Sequence, residues 1–273
     1  MNGAVLCRAK VNLTLHVGAA IGSGRWAGYH PVESLVAFAD FGDRLSFAPD
    51  AELSVSVSGP FGKGLAAVSD NLVIRAMRAA KAANHRVHMD KCIPISAGLG
   101  GGSANAAGAL RVFDPEGQVD DAALGADVPV CRLSRTAMME GIGERVTPLP
   151  GLGTVPAVLV NPGVAVSTAR IFQTFDLLPR EAEPARTDRD GDLLARAYSG
   201  RNDLQNAAIG EAPVIADVLD ALNAEDGCDL ARMSGSGATC FGLFRTDADA
   251  QQAARRLTGK GWWGVACRLG DAD

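Results

Sequence analysis

The spacing of hydrophobic positions changes several times along this chain, and each change marks an element. Between residues 3 and 17, Val5, Cys7, Ala9, Val11, Leu13 and Leu15 alternate with Arg8, Lys10, Asn12 and Thr14. A period of two puts the first set on one face of a strand and the second on the other. Lys10 and Asn12 therefore aim at the same side. The stretch Gly18 to His30 carries Gly22, Gly24 and Gly28 and reads as a loop. Short strands are expected over 32–38 and 44–47, and Leu53, Val55 and Val57 alternate as another. Gly59-Pro60-Phe61-Gly62-Lys63-Gly64 is a turn region. The period then lengthens. Val73, Met77 and Ala80 form a helical stripe, which predicts a helix over 71–84 with Ser69 or Asp70 as its cap.

A strand is expected over 87–93, stopped by Pro94. A glycine-rich loop follows, then an alanine-rich helix from Ser103 to Phe113, ended by Asp114-Pro115-Glu116-Gly117. Pro148, Pro150, Gly151 and Gly153 are the best boundary along the chain. Beyond them, Ala157 to Val160 is a buried strand. Residues 176–203 are charge-rich and read as an exposed connection around a short helix. Pro213 opens a helix carrying Val214, Ile215, Val218 and Leu222. Gly235-Ser236-Gly237 leads into an apolar strand, Thr239 to Phe244. Ala248 to Leu257 is helical and closed by Gly259. Trp263, Val265, Cys267 and Leu269 alternate as a last strand. The class is α+β, with an antiparallel sheet in the second half.

Composition narrows the functions open to such a fold. The chain has 273 residues, of which 47% are hydrophobic and 21% charged. That is ordinary for a globular protein and leaves room for two modest domains. The net charge of −5 argues against nucleic acid or an anionic membrane surface as the partner. No apolar run reaches the roughly 18 residues that span a bilayer. Arg8, Lys10 and Asn12 interrupt any leader-like start. The six cysteines, Cys7, Cys92, Cys131, Cys228, Cys240 and Cys267, are scattered without metal-ligand spacing. They read as reduced thiols and point to a cytoplasmic setting. His85 and His88 lack supporting carboxylates and read as surface residues.

An acidic protein that binds an anion needs a local site, and one segment supplies it. Pro94-Ile95-Ser96-Ala97-Gly98-Leu99-Gly100-Gly101-Gly102-Ser103-Ala104 stands between a strand and a helix. Glycines let backbone N–H groups approach a bulky anion, and the following helix adds unpaired N–H groups and the positive end of its dipole. No Gly-Lys-Ser/Thr closes the run, so it is not a Walker A loop. Nor is it a dinucleotide fingerprint, because Ser103 stands where the third glycine belongs. A glycine-rich connection that binds nothing is the plain alternative.

The loop resembles the ATP loop of the GHMP kinases, the family of galactokinase, homoserine kinase, mevalonate kinase and phosphomevalonate kinase. Further matches fall in family order along nearly the whole chain. They are Ala9-Lys10-Val11-Asn12-Leu13, Gly28-Tyr29-His30, Asp70-Asn71-Leu72, Gly125-Ala126-Asp127-Val128-Pro129-Val130, Glu140-Gly141-Ile142-Gly143-Glu144, Asn161-Pro162-Gly163, Asn202-Asp203-Leu204 and Met233-Ser234-Gly235-Ser236-Gly237-Ala238. Within the family they are most similar to the branch that acts on a cytidine-diphosphate-linked methylerythritol in isoprenoid synthesis. The resemblance implies a two-domain GHMP kinase fold. Residues 1–152 would form a ribosomal protein S5 domain 2-like ATP-binding domain, and 153–273 a ferredoxin-like α/β sandwich.

It also implies roles. Lys10 and Asp127 match the catalytic pair. A positioned carboxylate can take the proton of the attacking hydroxyl, and a lysine can stabilise charge on the transferring group. Residues 94–104, with Asn71 and Leu72, would hold ATP, accompanied by Mg²⁺. Tyr29 would stack on the cytosine, His30 would hydrogen-bond its polar edge, and Phe172 would close the other face. Asn12 and Thr168 would line the small-molecule substrate's pocket. Taken alone, Lys10 reads equally as a strand lysine, Asp127 as a helix cap, and Tyr29-His30 as an ordinary loop pair. The sequence departs from the family at Trp26-Ala27, where Ala-Asp is usual, and by a shortened stretch between Asn105 and Asp127. The rival expectations are another GHMP kinase activity, which Tyr29-His30 oppose, and a non-catalytic nucleotide binder, which retention of both Lys10 and Asp127 opposes.

Overall fold

One long strand organises the molecule. In the computed structural model, which describes residues 3–63, 65, 71–179 and 186–271, β3 runs unbroken from Val32 to Pro49. It replaces the two short strands expected over 32–38 and 44–47. The polar stretch between them, Asp40 to Asp43, is where β3 changes partners rather than where it ends. β1 (Val5–Asn12) pairs with it on both sides of that point, its register shifting between Arg8 and Lys10, while β6 (Ala137–Gly141) pairs before the point and β5 (His85–Asp90) after it. At Ala39 β3 meets Leu269 of β11 (Trp263–Gly270). Arg8 fills the junction, donating to the carbonyl oxygens of Phe38, Ala39, Ser134 and Gly270. Bending strands expose carbonyls that must find donors, and a guanidinium carries five N–H groups.

The rest of the N-terminal half hangs on β3. It comprises β2 (His16–Val17), β4 (Ser54–Ser58), β5 (His85–Asp90) and the hairpin β6 (Ala137–Gly141) and β7 (Arg145–Pro148). The path through the sheet is β4-β5-β3-β11-β8-β10-β9, with β8 Thr154–Asn161, β9 Cys228–Met233 and β10 Cys240–Phe244. β4 and β5 are parallel. The pairings among β8 to β11 are antiparallel, as expected.

The helices that pack on these strands are α1 (Leu72–Ala79), α2 (Gly101–Phe113), α3 (Asp121–Leu124) and α4 (Val128–Leu133) in the first half. The second half adds α5 (Thr168–Leu177), α6 (Leu193–Ser199), α7 (Gln205–Glu211), α8 (Val214–Asn223) and α9 (Asp247–Thr258). α1 is shorter than expected, and Asn71 caps it by accepting the Val73 N–H. The proposed caps Ser69 and Asp70 lie outside the described residues. α2 begins two residues before Ser103, inside the glycine run. It is buried all round from Ala104 to Leu110, and Gly108 lets it press against β1. A Cβ there would stand 2.4 Å from the Cys7 sulfur.

The charge-rich stretch 176–203 is only partly an exposed connection. α6 buries Leu193 and Ala197, and Thr187 is buried against Thr14. A central apolar cluster spans both halves. Ala9, Val11, Leu13, Leu35 and Leu99 from the first pack with Leu159, Phe241, Leu243 and Leu269 from the second. Each fully buried Leu or Phe stabilises the fold by about 1.5–3 kcal/mol relative to exposure.

Candidate active site

A cleft of about 1210 Å³ opens where the two halves meet. The loop forms one wall, and its path is set by glycines at positive φ. Gly98 has φ +72° and Gly100 +61°. A Cβ on Gly98 would stand 2.3 Å from the Ser234 carbonyl oxygen, so only glycine fits there. The loop is tied to neighbouring backbone on both sides: Lys10 N–H donates to Leu99 O at 3.0 Å, and Thr239 N–H to Ala97 O at 3.2 Å. The Ser234 hydroxyl donates to Gly98 O. Gly100 caps α2 with no side-chain bond, and the first helical bond is Ala104 N–H to Gly100 O. The N–H groups of Gly101, Gly102 and Ser103 are thus at the start of a helix, where backbone donors lack intrahelical partners.

Against the loop, beside Gly100, stand the two predicted catalytic residues, and they meet. Lys10 Nζ lies 3.1 Å from Asp127 Oδ2. The register shift in β1 turns Lys10 into the cleft, and its ammonium also donates to Asn12 Oδ1 at 2.7 Å. Asn12 in turn donates to Ser34 Oγ at 2.8 Å. Asp127 occupies the N-cap position of α4 but makes no capping bond with its side chain. Its carboxylate is spent on Lys10 instead. The Lys10 side chain is buried while that of Asp127 is 31% exposed, so the carboxylate stays reachable from the cleft.

The stretch between α2 and Asp127 is closed by a compact knot. Asp114, capping α2, accepts the N–H groups of Gln118 and Val119. Arg132 of α4 grips Asp114 and, at 2.7 Å, Asp121. These bonds, led by the Val119 amide, hold the Asp114 carboxyl below its ordinary pKa. Arg132 ties α4 to both ends of the short connection.

The far rim carries Tyr29, His30, Thr168 and Phe172. Tyr29 is 55% exposed and meets Trp26 edge to face. His30 is buried. Its Nδ1 lies 2.9 Å from Gly18 O, its Nε2 3.3 Å from Asp176 Oδ2, and its ring stacks on Phe172 at 5.1 Å. Phe172 thus stacks on the histidine here. Thr168 hydrogen-bonds Ser236 at 2.8 Å.

The descriptions of GHMP kinase N-terminal and C-terminal domains match residues 71–124 and 182–261. A 4-diphosphocytidyl-2-C-methyl-D-erythritol kinase of Dinoroseobacter shibae is 47% identical over 93% of this chain and 91% of its own. The namesake from Paracoccus denitrificans is 47% identical over 97% and 96%. The chain belongs to the 4-diphosphocytidyl-2-C-methyl-D-erythritol kinase family of GHMP kinases. A crystal structure of 4-(cytidine 5'-diphospho)-2C-methyl-D-erythritol kinase superposes with a TM-score of 0.78 at 31% identity, covering 99% of this chain and 100% of the other. The L. major mevalonate kinase shares the fold, with a TM-score of 0.64 at 12% identity, over 100% of this chain and 97% of its own.

Most residues anticipated from the GHMP kinase motifs line the cleft: Lys10, Asn12, Tyr29, His30, Asn71, Leu72, Pro94 to Gly98, Gly100 to Ser103, Asp127, Thr168 and Phe172. Leu99 and Ala104 do not, because their side chains turn into the core. The motif reading missed Lys91, Asn105 and Asp176, which line the cleft, and Asp43 behind it. Asn105 was visible as the polar residue within the otherwise apolar run Ala104 to Leu110 of α2. Lys91 and Asp43 gave no local signal, since their pairing joins residues 48 apart. The six cysteines are free thiols. Among the described residues, no helix is long and apolar enough to cross a membrane.

Proposed function

We propose that this protein transfers the γ-phosphoryl group of ATP to the 2-hydroxyl of 4-diphosphocytidyl-2-C-methyl-D-erythritol, a step of the methylerythritol phosphate route to isoprenoids. The observation that carries the reading is the Lys10–Asp127 pair at 3.1 Å, set beside the glycine loop, where a Cβ on Gly100 would stand 3.1 Å from Lys10 Cε and 3.6 Å from Asp127 Oδ2. A phosphate cradle needs neither residue, whereas a transferase needs both.

The loop amides and the start of α2 bind the phosphates. Asn71 and Leu72 flank the adenine side of the cleft. Tyr29 and Phe172 sandwich the cytosine, His30 bonds its polar edge, and Asn12 and Thr168 line the sugar-alcohol. For Phe172 to do so it must leave His30, so base binding exchanges one stack for another. The substrate hydroxyl then attacks the γ-phosphorus in line with the departing ADP oxygen. Asp127 orients that hydroxyl and accepts its proton. In a loose transition state the proton moves late, so position matters more than basicity. Lys10 fixes the Asp127 carboxylate and lends positive charge to the transferring group.

The residues present fit Mg²⁺ held mainly by phosphate oxygens and water, which is how this ion is commonly bound beside nucleotides. Among the described residues no three His, Cys, Asp or Glu gather into a ligand cluster, and Ser103 lines the cleft at the first turn of α2. Ser103 would hold the ion, which when bound neutralises phosphate charge. Reduced cysteines and the cytoplasm, residues 1–152 and 153–273 as the two domains, and a small molecule rather than nucleic acid as the partner complete the reading.

The test is ADP release with the cytidylated substrate, run beside homoserine and mevalonate. Turnover confined to the first supports the proposal. Turnover with either of the others, or with none, sinks it.

A further inference from the structure

We infer that Asp43 is a positioning residue for the nucleotide loop, a buried carboxylate that fixes the loop's entry and its exit together. This rests on the reading that the loop holds the phosphates of ATP.

Asp43 stands in β3 with no solvent exposure. Its Oδ1 accepts the N–H groups of Cys92 at 2.7 Å and Ile93 at 2.8 Å. Its Oδ2 accepts the Lys91 ammonium at 2.5 Å and the Asn105 amide at 2.9 Å. Four donors saturate a carboxylate. All four belong to the loop's two flanks. Residues 91–93 deliver the chain into Pro94, and Asn105 lies one turn beyond the glycines on α2.

Lys91 shows how close that point is to the cradle. A Cβ placed on Gly101 would stand 3.0 Å from Lys91 Nζ. The ammonium, on a side chain only 7% exposed, therefore lies against the first residue of α2. It lines the cleft on one side and is anchored by Asp43 on the other.

Energetics favour a geometric role over a merely stabilising one. A buried ion pair contributes little net stability over well-packed apolar side chains of the same volume, because both charges must be desolvated. What an apolar pair cannot supply is directionality. Hydrogen bonds of 2.5–2.9 Å fix where Cys92, Ile93 and Asn105 sit, and hence where the loop amides point.

The test is Asp43→Asn, which keeps shape and removes the charge. Its amide N–H₂ group must then face either the backbone donors or Lys91 and Asn105. The dissociation constant of a non-hydrolysable ATP analogue and the KM for ATP should each rise about tenfold. The KM for the cytidylated substrate should stay within about twofold, with the assay run well below the variant's melting temperature. Asn105→Leu removes one arm and leaves the ion pair. It should give a smaller rise, again for ATP alone. A role confined to stability predicts a lower melting temperature with both KM values unchanged, and that result overturns the inference. So does a parallel rise for both substrates. If the wild-type protein itself does not bind the analogue, the loop reading fails, and the role of Asp43 falls with it.

Discussion

The two ends of the cleft are built in different ways. At the proposed nucleotide end, the loop is tied through backbone bonds from Lys10 and Thr239, braced by a carboxylate with no exposure, and shaped by Gly98, whose Cβ would clash with backbone. At the base end, the side chains partner one another. His30 spans Gly18 and Asp176 and stacks on Phe172, while Tyr29 projects into solvent. In the proposed function the first end is preorganised for a transferring phosphoryl group, where fixed donors cost no rearrangement at the moment of reaction. The second, in the same proposal, must exchange contacts when a base arrives. Chemistry should therefore fail sharply when the first end is altered, and recognition should fade by degrees when the second is.

The largest expected effect is on the chemical step. Asp127→Asn should lower kcat by roughly 10²–10⁴-fold, the usual worth of a positioned general base. The KM for ATP should stay within about twofold, as read by ADP release. An unchanged rate would remove Asp127 from the mechanism. Gly98→Ala comes next. Its Cβ would press on the carbonyl oxygens of Ser234 and Gly237 from a φ of +72°, so a loss of about 2–3 kcal/mol is expected. Thermal melting measures it, and a melting temperature equal to wild type would show the loop to be looser than described.

The base end should respond more mildly. His30→Ala should raise the KM for the cytidylated substrate about tenfold, near 1.4 kcal/mol, and leave the KM for ATP alone. A matched change in both would erase the contrast between the two ends.

The smallest effect is a pH dependence beneath the rim. His16 is buried, and neither ring nitrogen has a hydrogen-bond partner among the described residues. Burial lowers its pKa, with the Asp203 and Glu33 carboxylates opposing and Arg201 and Arg232 assisting. The folded protein then binds fewer protons at this site than the unfolded chain. The associated stability is fully present above the ordinary histidine value of about 6.5 and declines as pH falls below it, by at most about 1.4 kcal/mol per unit. His16→Asn should flatten the melting temperature between pH 7.5 and 5.5. An unaltered slope would place the titration elsewhere.

The same contrast governs what was legible in the sequence. The nucleotide end is written locally. Its glycines, the alanine-rich helix and the Lys10–Asn12 alternation all fall within short windows, and all were placed correctly, except that α2 starts at Gly101. The base end is assembled over distance. His30 and Asp176 meet from opposite halves of the chain, and α5, which brings Phe172 and Asp176, has only Ile171 and Phe175 buried, too thin a stripe to stand out. α7, β9 and the β6–β7 hairpin escaped for similar reasons. β3 was split in two because Asp43 lies in its middle, and a buried charge inside an apolar run looks like a break unless its partners are known. The residue that hid the strand is the one that braces the loop.

The central claim is that one cleft brings a cytidylated alcohol to the γ-phosphate beside Asp127. A crystal structure with a non-hydrolysable ATP analogue and 4-diphosphocytidyl-2-C-methyl-D-erythritol tests it most directly. The account predicts the 2-hydroxyl within about 2.6–3.2 Å of the Asp127 carboxylate, phosphates on the amides of residues 98–103, and the cytosine between Tyr29 and Phe172. A γ-phosphate turned away from Lys10 and Asp127, or a base bound away from His30, would contradict it.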